Sequence, residues 1–197
     1  ETFPRRGLGI NVYLLDSGVD STHPEFTGTN LINLFTFNNN FTDTIGHGTA
    51  LASLIIGNTC GMTDATLKVV KISDKTQTTL TSDMISALDA ILTDFVDSDN
   101  KTSVVNISWS IPKNEYIESK IKQLMDFGIY VVCSAGNNGS PITDVTPASM
   151  SDVCVIGAFD QAFEPCNFSN YTETIIGSSA GETNHGELTG WAPGQKI

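Results

Sequence analysis

The feature that most constrains the fold is the alternation of short apolar runs with longer amphipathic segments along the chain. The runs are rich in Val, Ile and Leu without a polar face, which is typical of strands buried on both sides. They lie at residues 10–15, 67–72, 104–109, 129–133 and 153–156. Parallel strands need crossover connections, and these are usually helices. The sequence therefore predicts an α/β fold, in which helices flank both faces of a parallel sheet.

Three of the intervening segments have the pattern of helices. Residues 49–56 are apolar and rich in small side chains. Ser82 offers a helix N-cap, and an apolar helical stripe follows it: Met84, Ile85, Leu88, Ile91, Leu92 and Phe95. Another stripe comprises Tyr116, Ile117, Ile121, Leu124 and Met125, and Gly128 ends it, as glycine often ends helices. A chain of 197 residues is expected to form one domain.

The charge of the chain excludes several classes of partner. Its formal net charge is −12, with 10 basic and 22 acidic residues. Nucleic acid and anionic membrane surfaces repel such a chain, and no apolar run is long enough to span a bilayer. The four cysteines, Cys60, Cys133, Cys154 and Cys166, show no close zinc-ligand spacing. We expect no nucleic-acid partner, no membrane partner and no cysteine metal site, and the disulfide pairing stays open.

Three polar residues stand at the ends of predicted elements. Asp16 follows the run 10–15, and Asn137 follows the run 129–133. His47 lies between two glycines at the start of a predicted helix. Function collects at the carboxyl ends of the strands in parallel sheets. Singly, each residue has an ordinary explanation as a turn former, a helix cap or a loop residue.

Together, the motifs around these residues resemble a known family. The strings LLDSGVD, GHGT and SAGNNG occur in the order of the three N-terminal signatures of the subtilases. Residues 146–158 and 168–171 resemble the proteinase K branch, and residues 191–194 are similar to the segment that leads to the family's nucleophilic serine. The resemblance covers nearly the whole chain. It implies a subtilisin-like fold and a serine endopeptidase that hydrolyses peptide bonds with an Asp-His-Ser triad.

The resemblance also assigns roles to the three residues. His47 would be the base that takes the proton of the serine hydroxyl. Asp16 would hold the other imidazole nitrogen and stabilise the imidazolium. Asn137 would donate a hydrogen bond to the oxyanion of the tetrahedral intermediate.

The substrate peptide would bind as an added strand between two backbone segments, as the resemblance implies. The first segment comprises Gln77, Thr78 and Thr79, and the second comprises Ser108, Trp109 and Ser110. Ala135 and Gly136 would line the pocket opposite.

The sequence departs from the family pattern at several positions. Ala50 replaces the usual histidine of GHGTH, and Ser110 replaces a glycine. Thr189 aligns with a calcium-binding aspartate of the proteinase K branch, so we expect that site to be lost. No cofactor is expected for the chemistry, and a structural calcium ion elsewhere stays open. Residues 172–187 have the composition of an insertion.

Residues 1–197 are expected to be the N-terminal and central part of one catalytic domain, incomplete at its C-terminus. The chain ends shortly after Gly194, and none of Ser108, Ser134, Ser178 and Ser179 opens a predicted helix as the family's nucleophile does. We expect the serine on a segment outside this chain, so the chain alone would be inactive. Its expected partners are a polypeptide substrate, the C-terminal remainder of the domain, and a propeptide or protein inhibitor. Cys154 matches a cysteine that pairs far toward the C-terminus in the proteinase K branch.

Two other functions stay open. One is a subtilase-like pseudoenzyme that acts as a binding or scaffolding module. The other is an unrelated doubly wound enzyme, against which the three motifs argue. An extracellular location is expected, with virion-associated or intracellular processing as alternatives.

Overall fold

The computed structural model describes residues 6–75, 79–172 and 188–194 of the chain. The strands are β1 (Asn11–Asp16), β2 (Leu31–Thr36), β3 (Thr66–Lys71), β4 (Ser103–Ile107), β5 (Ile111–Pro112), β6 (Tyr130–Ser134), β7 (Val145–Thr146), β8 (Cys154–Phe159) and β9 (Leu188–Pro193). The helices are α1 (His47–Ile56), α2 (Thr81–Asp97) and α3 (Glu115–Asp126).

Seven of the strands form one sheet, in the order β2-β3-β1-β4-β6-β8-β9. The pairs β1–β3, β2–β3, β6–β8 and β8–β9 are parallel, and the two short strands β5 and β7 pair antiparallel. The predicted α/β architecture, a parallel sheet with helices, is confirmed. None of the helices in the described ranges is long and apolar enough to cross a membrane.

The chain divides into two compact units, and the first comprises Glu1–Asn106 and Lys122–Tyr130. Its core is built on β1 and β3, whose side chains are almost all buried. Seven buried residues form one cluster: Leu14, Val19, Phe26, Ala52, Ile56, Leu67 and Val69. Each large apolar side chain removed from water here stabilises the fold by about 1.5–3 kcal/mol. This packing sets α1 against the strand that ends in Asp16.

The second unit comprises Ile107–Ile121 and Val131–Ile197. In it, β8 lies between β6 and β9, and the backbone N–H of Val155 donates to the hydroxyl of Thr189 at 3.0 Å. Gly157 of β8 lies against the indole of Trp191, so that a Cβ on this glycine would come within 2.8 Å of the ring. The strand ends of this unit carry the loop with Asn137.

Some boundaries differ from the sequence prediction. The prediction of Ser82 as N-cap is wrong, because α2 begins at Thr81 and the carbonyl of Leu80 accepts the N–H groups of Asp83 and Met84. Strand β2 was not predicted, because it lies at the sheet edge, where its side chains stay partly exposed and show no buried apolar run. Gly128 does end a helix as predicted: its φ is 94°, and its N–H donates to the carbonyl of Met125.

Candidate active site

Asp16 is the last residue of β1, and its side chain is buried at 4% exposure. The backbone N–H of Ser17 donates to Asp16 Oδ1 at 2.7 Å. This bond fixes the carboxylate at the carboxyl end of the sheet, the position that the sequence predicted.

His47 is the first residue of α1, and its ring meets the Asp16 carboxylate. Nδ1 lies 2.8 Å from Oδ1 and 3.0 Å from Oδ2. A carboxylate can only accept, so Nδ1 carries the proton and Nε2 of the neutral ring keeps its lone pair. The histidine side chain is 52% exposed, and in the described part of the first unit no other group hydrogen-bonds to the ring. A buried carboxylate thus holds one nitrogen of a half-exposed imidazole.

Two motif glycines allow α1 to approach the end of β1 this closely. A Cβ on Gly48 would lie 2.1 Å from the carbonyl oxygen of Gly18 and 3.1 Å from Asp16 Oδ1. Gly18 itself has a φ of 96°, and a Cβ there would lie 2.5 Å from the carbonyl oxygen of Phe41. A side chain at Gly48 would push α1 away from Asp16, and one at Gly18 would clash with the backbone at Phe41.

Asn137 lies in the second unit, in the loop that follows β6. Gly136 before it and Gly139 after it both have positive φ, at 102° and 60°. Asn137 is exposed, so its amide is free to meet a ligand. The loop geometry agrees with a residue that points its side chain to solvent.

Asn170, which sequence reasoning did not single out, fixes this loop. Its side chain is fully buried, and its Oδ1 accepts the backbone N–H groups of Asn138 at 2.9 Å and Ser140 at 3.2 Å. Its own backbone N–H donates to the carbonyl of Gly136 at 3.0 Å. In the sequence, Asn170 belongs to the 168–171 segment and to an N-x-S/T sequon, and neither pattern predicts this role.

Six of the eight predicted substrate-binding residues lie within the described ranges. Gln77 and Thr78 lie outside the described residues, and Thr79 is half-buried ahead of α2. Ser108 and Trp109 are half-buried after β4, and Ser110 is exposed. Ser110 lies beside Gly136, since a Cβ on that glycine would be 3.5 Å from the serine Oγ. Ala135 is buried. No substrate tests these assignments, and they stay predictions.

Comparison with known proteins decides the family. The Peptidase_S8 model, described as the subtilase family, matches residues 7–194. The chain belongs to the subtilase family.

The relatives of this subtilase include a subtilisin-like protease of Coccidioides posadasii, 31% identical over 179 residues, which are 89% of this chain and 44% of that protein. Proteinase R of Parengyodontium album is 32% identical over 171 residues, 86% of this chain and 44% of that protein. The chain thus spans less than half the length of these relatives. A solved structure of a cold-adapted subtilisin-like serine proteinase matches 100% of this chain and 67% of its own, with a TM-score of 0.81 at 23% identity. The subtilase prediction and its fold are confirmed.

Cys133 of this subtilase, in the second unit, is not placed to be a competing nucleophile. Cys133 is buried in β6, and this burial, with a smaller contribution from Cys154, raises the pKa of its thiol to about 12. A thiol with that pKa stays protonated at neutral pH and is a poor nucleophile. All four cysteines are unpaired with one another. Across the described ranges, no three His, Cys, Asp or Glu side chains come together to hold a metal ion.

The Asp16–His47 pair gives a pH prediction for this subtilase. The hydrogen bond to Asp16 raises the pKa of His47 most, burial opposes it, and the charges of Asp16 and Asp43 add to the rise, so the pKa lies above its ordinary 6.5. We expect an NMR titration of the imidazole to show this, and Asp16→Asn to lower the value.

The sign of the effect on stability follows from the same shift. Folding favours the protonated ring, so this contribution is complete below the unfolded pKa and is lost as pH rises through the folded pKa. If His47 is the base, as the sequence predicts, it acts as the neutral ring, and the acid limb of peptidase activity is then expected above pH 6.5. A titration at or below that value would contradict the assignment.

Proposed function

We propose that this chain carries the base, the orienting acid and the oxyanion donor of a serine endopeptidase, and that its nucleophilic serine lies on a segment outside residues 1–197. The observation that carries the proposal is the contact between a buried Asp16 and a half-exposed His47, with Nδ1 bonded and Nε2 without a hydrogen-bond partner in the described part of the first unit. This is the arrangement that a hydroxyl nucleophile requires.

The proposed chemistry begins at His47. The Nε2 lone pair of His47 takes the serine proton as the serine oxygen attacks the peptide carbonyl. The imidazolium formed is stabilised by the Asp16 carboxylate, which keeps the ring in one orientation. The carbonyl oxygen becomes an oxyanion, to which the Asn137 amide donates. His47 then returns the proton to the leaving amine, and water reverses the sequence to release the acid product.

The proposal that the serine lies elsewhere rests on the hydroxyls that the chain offers. Ser17, the serine nearest in sequence to Asp16, donates to Asp43 at 2.9 Å and accepts from Gly48 at 2.9 Å, so its hydroxyl is committed. Ser134 ends the strand β6 and opens no helix. Ser178 and Ser179 lie outside the described residues. The solved relative has about a third of its chain unmatched, as 67% of it is covered. Residues 1–197 alone are therefore proposed to be inactive.

The substrate is proposed to be a polypeptide bound in extended form, and a propeptide or protein inhibitor would use the same mode. The C-terminal remainder of the domain is the other proposed partner. The complete protein is proposed to be extracellular.

The test is peptide-bond hydrolysis by the complete protein. Casein or an unfolded peptide mixture should acquire new amino termini, and a sulfonyl fluoride that acylates active serines should abolish this. Peptide binding without new termini would favour the pseudoenzyme alternative instead.

Asn137→Ala is expected to lower kcat by about 10²–10³-fold with little change in KM, a magnitude carried over from the equivalent donor in subtilisin. The reason is that the amide acts on a charge that exists only in the transition state. Steady-state kinetics of the complete protein measure it, and Asn138→Ala, the exposed neighbour, is the matched control. A change confined to KM would show that Asn137 binds ground-state substrate.

The calcium site of the proteinase K branch is proposed to be absent at Thr189. A hydroxyl is a poor calcium ligand compared with a carboxylate, and this one already accepts the Val155 N–H. If no calcium ion binds elsewhere in the protein, excess chelator should leave the melting temperature unchanged. A large fall on chelation would show that a calcium ion stabilises the fold, and Thr189→Asp should deepen that fall if the ion binds here.

A further inference from the structure

We propose that Asp43 is a positioning residue for the Asp16–His47 pair, which its carboxylate holds from both sides; this rests on the proposed function. Asp43 lies in the loop before α1, four residues ahead of His47 in the GHGT motif, and its side chain is half-buried.

One side of the hold is the start of α1. Asp43 Oδ1 accepts the N–H groups of Ile45 at 2.9 Å and Gly46 at 2.8 Å. Oδ2 accepts the N–H of Thr49 at 2.9 Å and its hydroxyl at 2.7 Å. These bonds satisfy amide groups at the helix start, and they fix the backbone on both sides of His47. The carboxylate charge also suits the positive end of the helix dipole.

The other side of the hold is the end of β1. Ser17 Oγ donates to Asp43 Oδ1 at 2.9 Å and accepts the Gly48 N–H at 2.9 Å. The N–H of the same Ser17 donates to Asp16 Oδ1. A helix cap alone would need no bond to Ser17. Asp43 therefore ties the residue beside the acid to the turn that carries the base.

The loop that carries Asp43 is itself anchored from behind. Lys71, at the end of β3, is fully buried, and its Nζ donates to the carbonyl of Thr42 at 2.6 Å and to Asp74 Oδ2 at 2.9 Å. Because Thr42 precedes Asp43, this buried ammonium fixes the backbone from which the carboxylate projects. The carboxylate thus has little freedom to follow a displaced helix.

The charge state of Asp43 agrees with this role. Burial raises the pKa of its carboxyl, but the hydrogen bonds from Thr49, Gly46 and Ile45 outweigh burial and lower it overall. The group is therefore ionised at neutral pH, and its charge adds to that of Asp16 at the His47 ring.

The first test is NMR of the imidazole, which needs no nucleophile and no peptidase activity. In Asp43→Asn, one oxygen becomes an amide NH₂ that cannot accept, so either the two bonds from Thr49 or those from Ser17, Ile45 and Gly46 are lost. We expect the Nδ1–H resonance of His47 to weaken or exchange faster, and the pKa of His47 to fall. Asp20→Asn is the matched control, because that carboxylate accepts from the N–H and hydroxyl of Thr22 rather than from the residues beside His47. An unchanged resonance and pKa in Asp43→Asn would overturn the proposal even if the protein is an active peptidase.

The second test is a double-mutant cycle on the complete enzyme. Asp43→Asn and Ser17→Ala are each expected to lower kcat about tenfold to a hundredfold with little change in KM, as misplacement of a catalytic group does. If both act by holding the same pair, the double variant should lose little more than the worse single one. If the fold-losses in kcat of the two single variants multiply in the double variant, Asp43 and Ser17 act independently, and the proposal is overturned. Thr49→Val, which keeps the carboxylate and removes one donor, serves if Asp43→Asn does not fold, and it should give the same NMR change in weaker form.

Discussion

His47→Ala should abolish peptidase activity in the complete enzyme, with kcat lower by about 10⁶-fold, the loss carried over from the equivalent change in subtilisin. The imidazole is the proposed acceptor of the serine proton. Asp16 is buried at 4% exposure behind it and does not replace it. The ring is 52% exposed, so its removal should change the melting temperature little. Hydrolysis of a peptide substrate and thermal melting measure the two effects.

His23→Ala is the matched control for this change. His23 is exposed and caps a short turn, where its Nδ1 accepts the N–H of Glu25 at 3.2 Å. Activity should survive in this variant. Peptidase activity that persists in His47→Ala with a normal melting temperature would remove His47 from the triad.

Asp16→Asn should lower kcat by about 10⁴-fold, the size of this effect in serine proteases of the Asp-His-Ser type. An asparagine can turn its NH₂ toward Nδ1, which then accepts, and the ring proton moves to Nε2. That tautomer cannot take a proton from serine. The side chain keeps its size in the buried position, so the fold should remain intact.

Two measurements separate this explanation from unfolding. The low-field Nδ1–H resonance should disappear in Asp16→Asn, while the melting temperature stays close to that of the parent protein. Asp20→Asn changes an aspartate whose side chain bonds to Thr22, and this variant should keep both resonance and activity. Full activity in Asp16→Asn would contradict the orienting role.

The sheet and the acid–base pair were predictable because their signals are local. Strands β1 and β3 are buried on nearly every residue, so their composition alone marks them. Asp16 and His47 lie in short motifs that require glycine at two positions. A Cβ on Gly48 or Gly18 would come within 2.1 or 2.5 Å of a backbone carbonyl oxygen. Composition and motif together therefore located both residues at the correct strand and helix ends.

The residues that hold the site were not predictable, because their partners are distant in sequence. Asp43 bonds to Ser17 across 26 positions, and Asn170 bonds to Asn138 across 32. In the sequence, each has the pattern of an ordinary loop residue. Strand β2 was missed for a related reason: its place at the sheet edge lets it keep partly exposed side chains.

The most direct test of the account is a fluorophosphonate probe, which labels only an activated serine. We would apply it to residues 1–197 alone, to the complete natural protein, and to its His47→Ala variant. The account predicts labelling of the complete protein, loss of that labelling in His47→Ala, and none in residues 1–197. Labelling of residues 1–197 would show an activated serine within this chain, and no labelling of the complete protein would mean that Asp16 and His47 serve no serine nucleophile; either result would contradict the account.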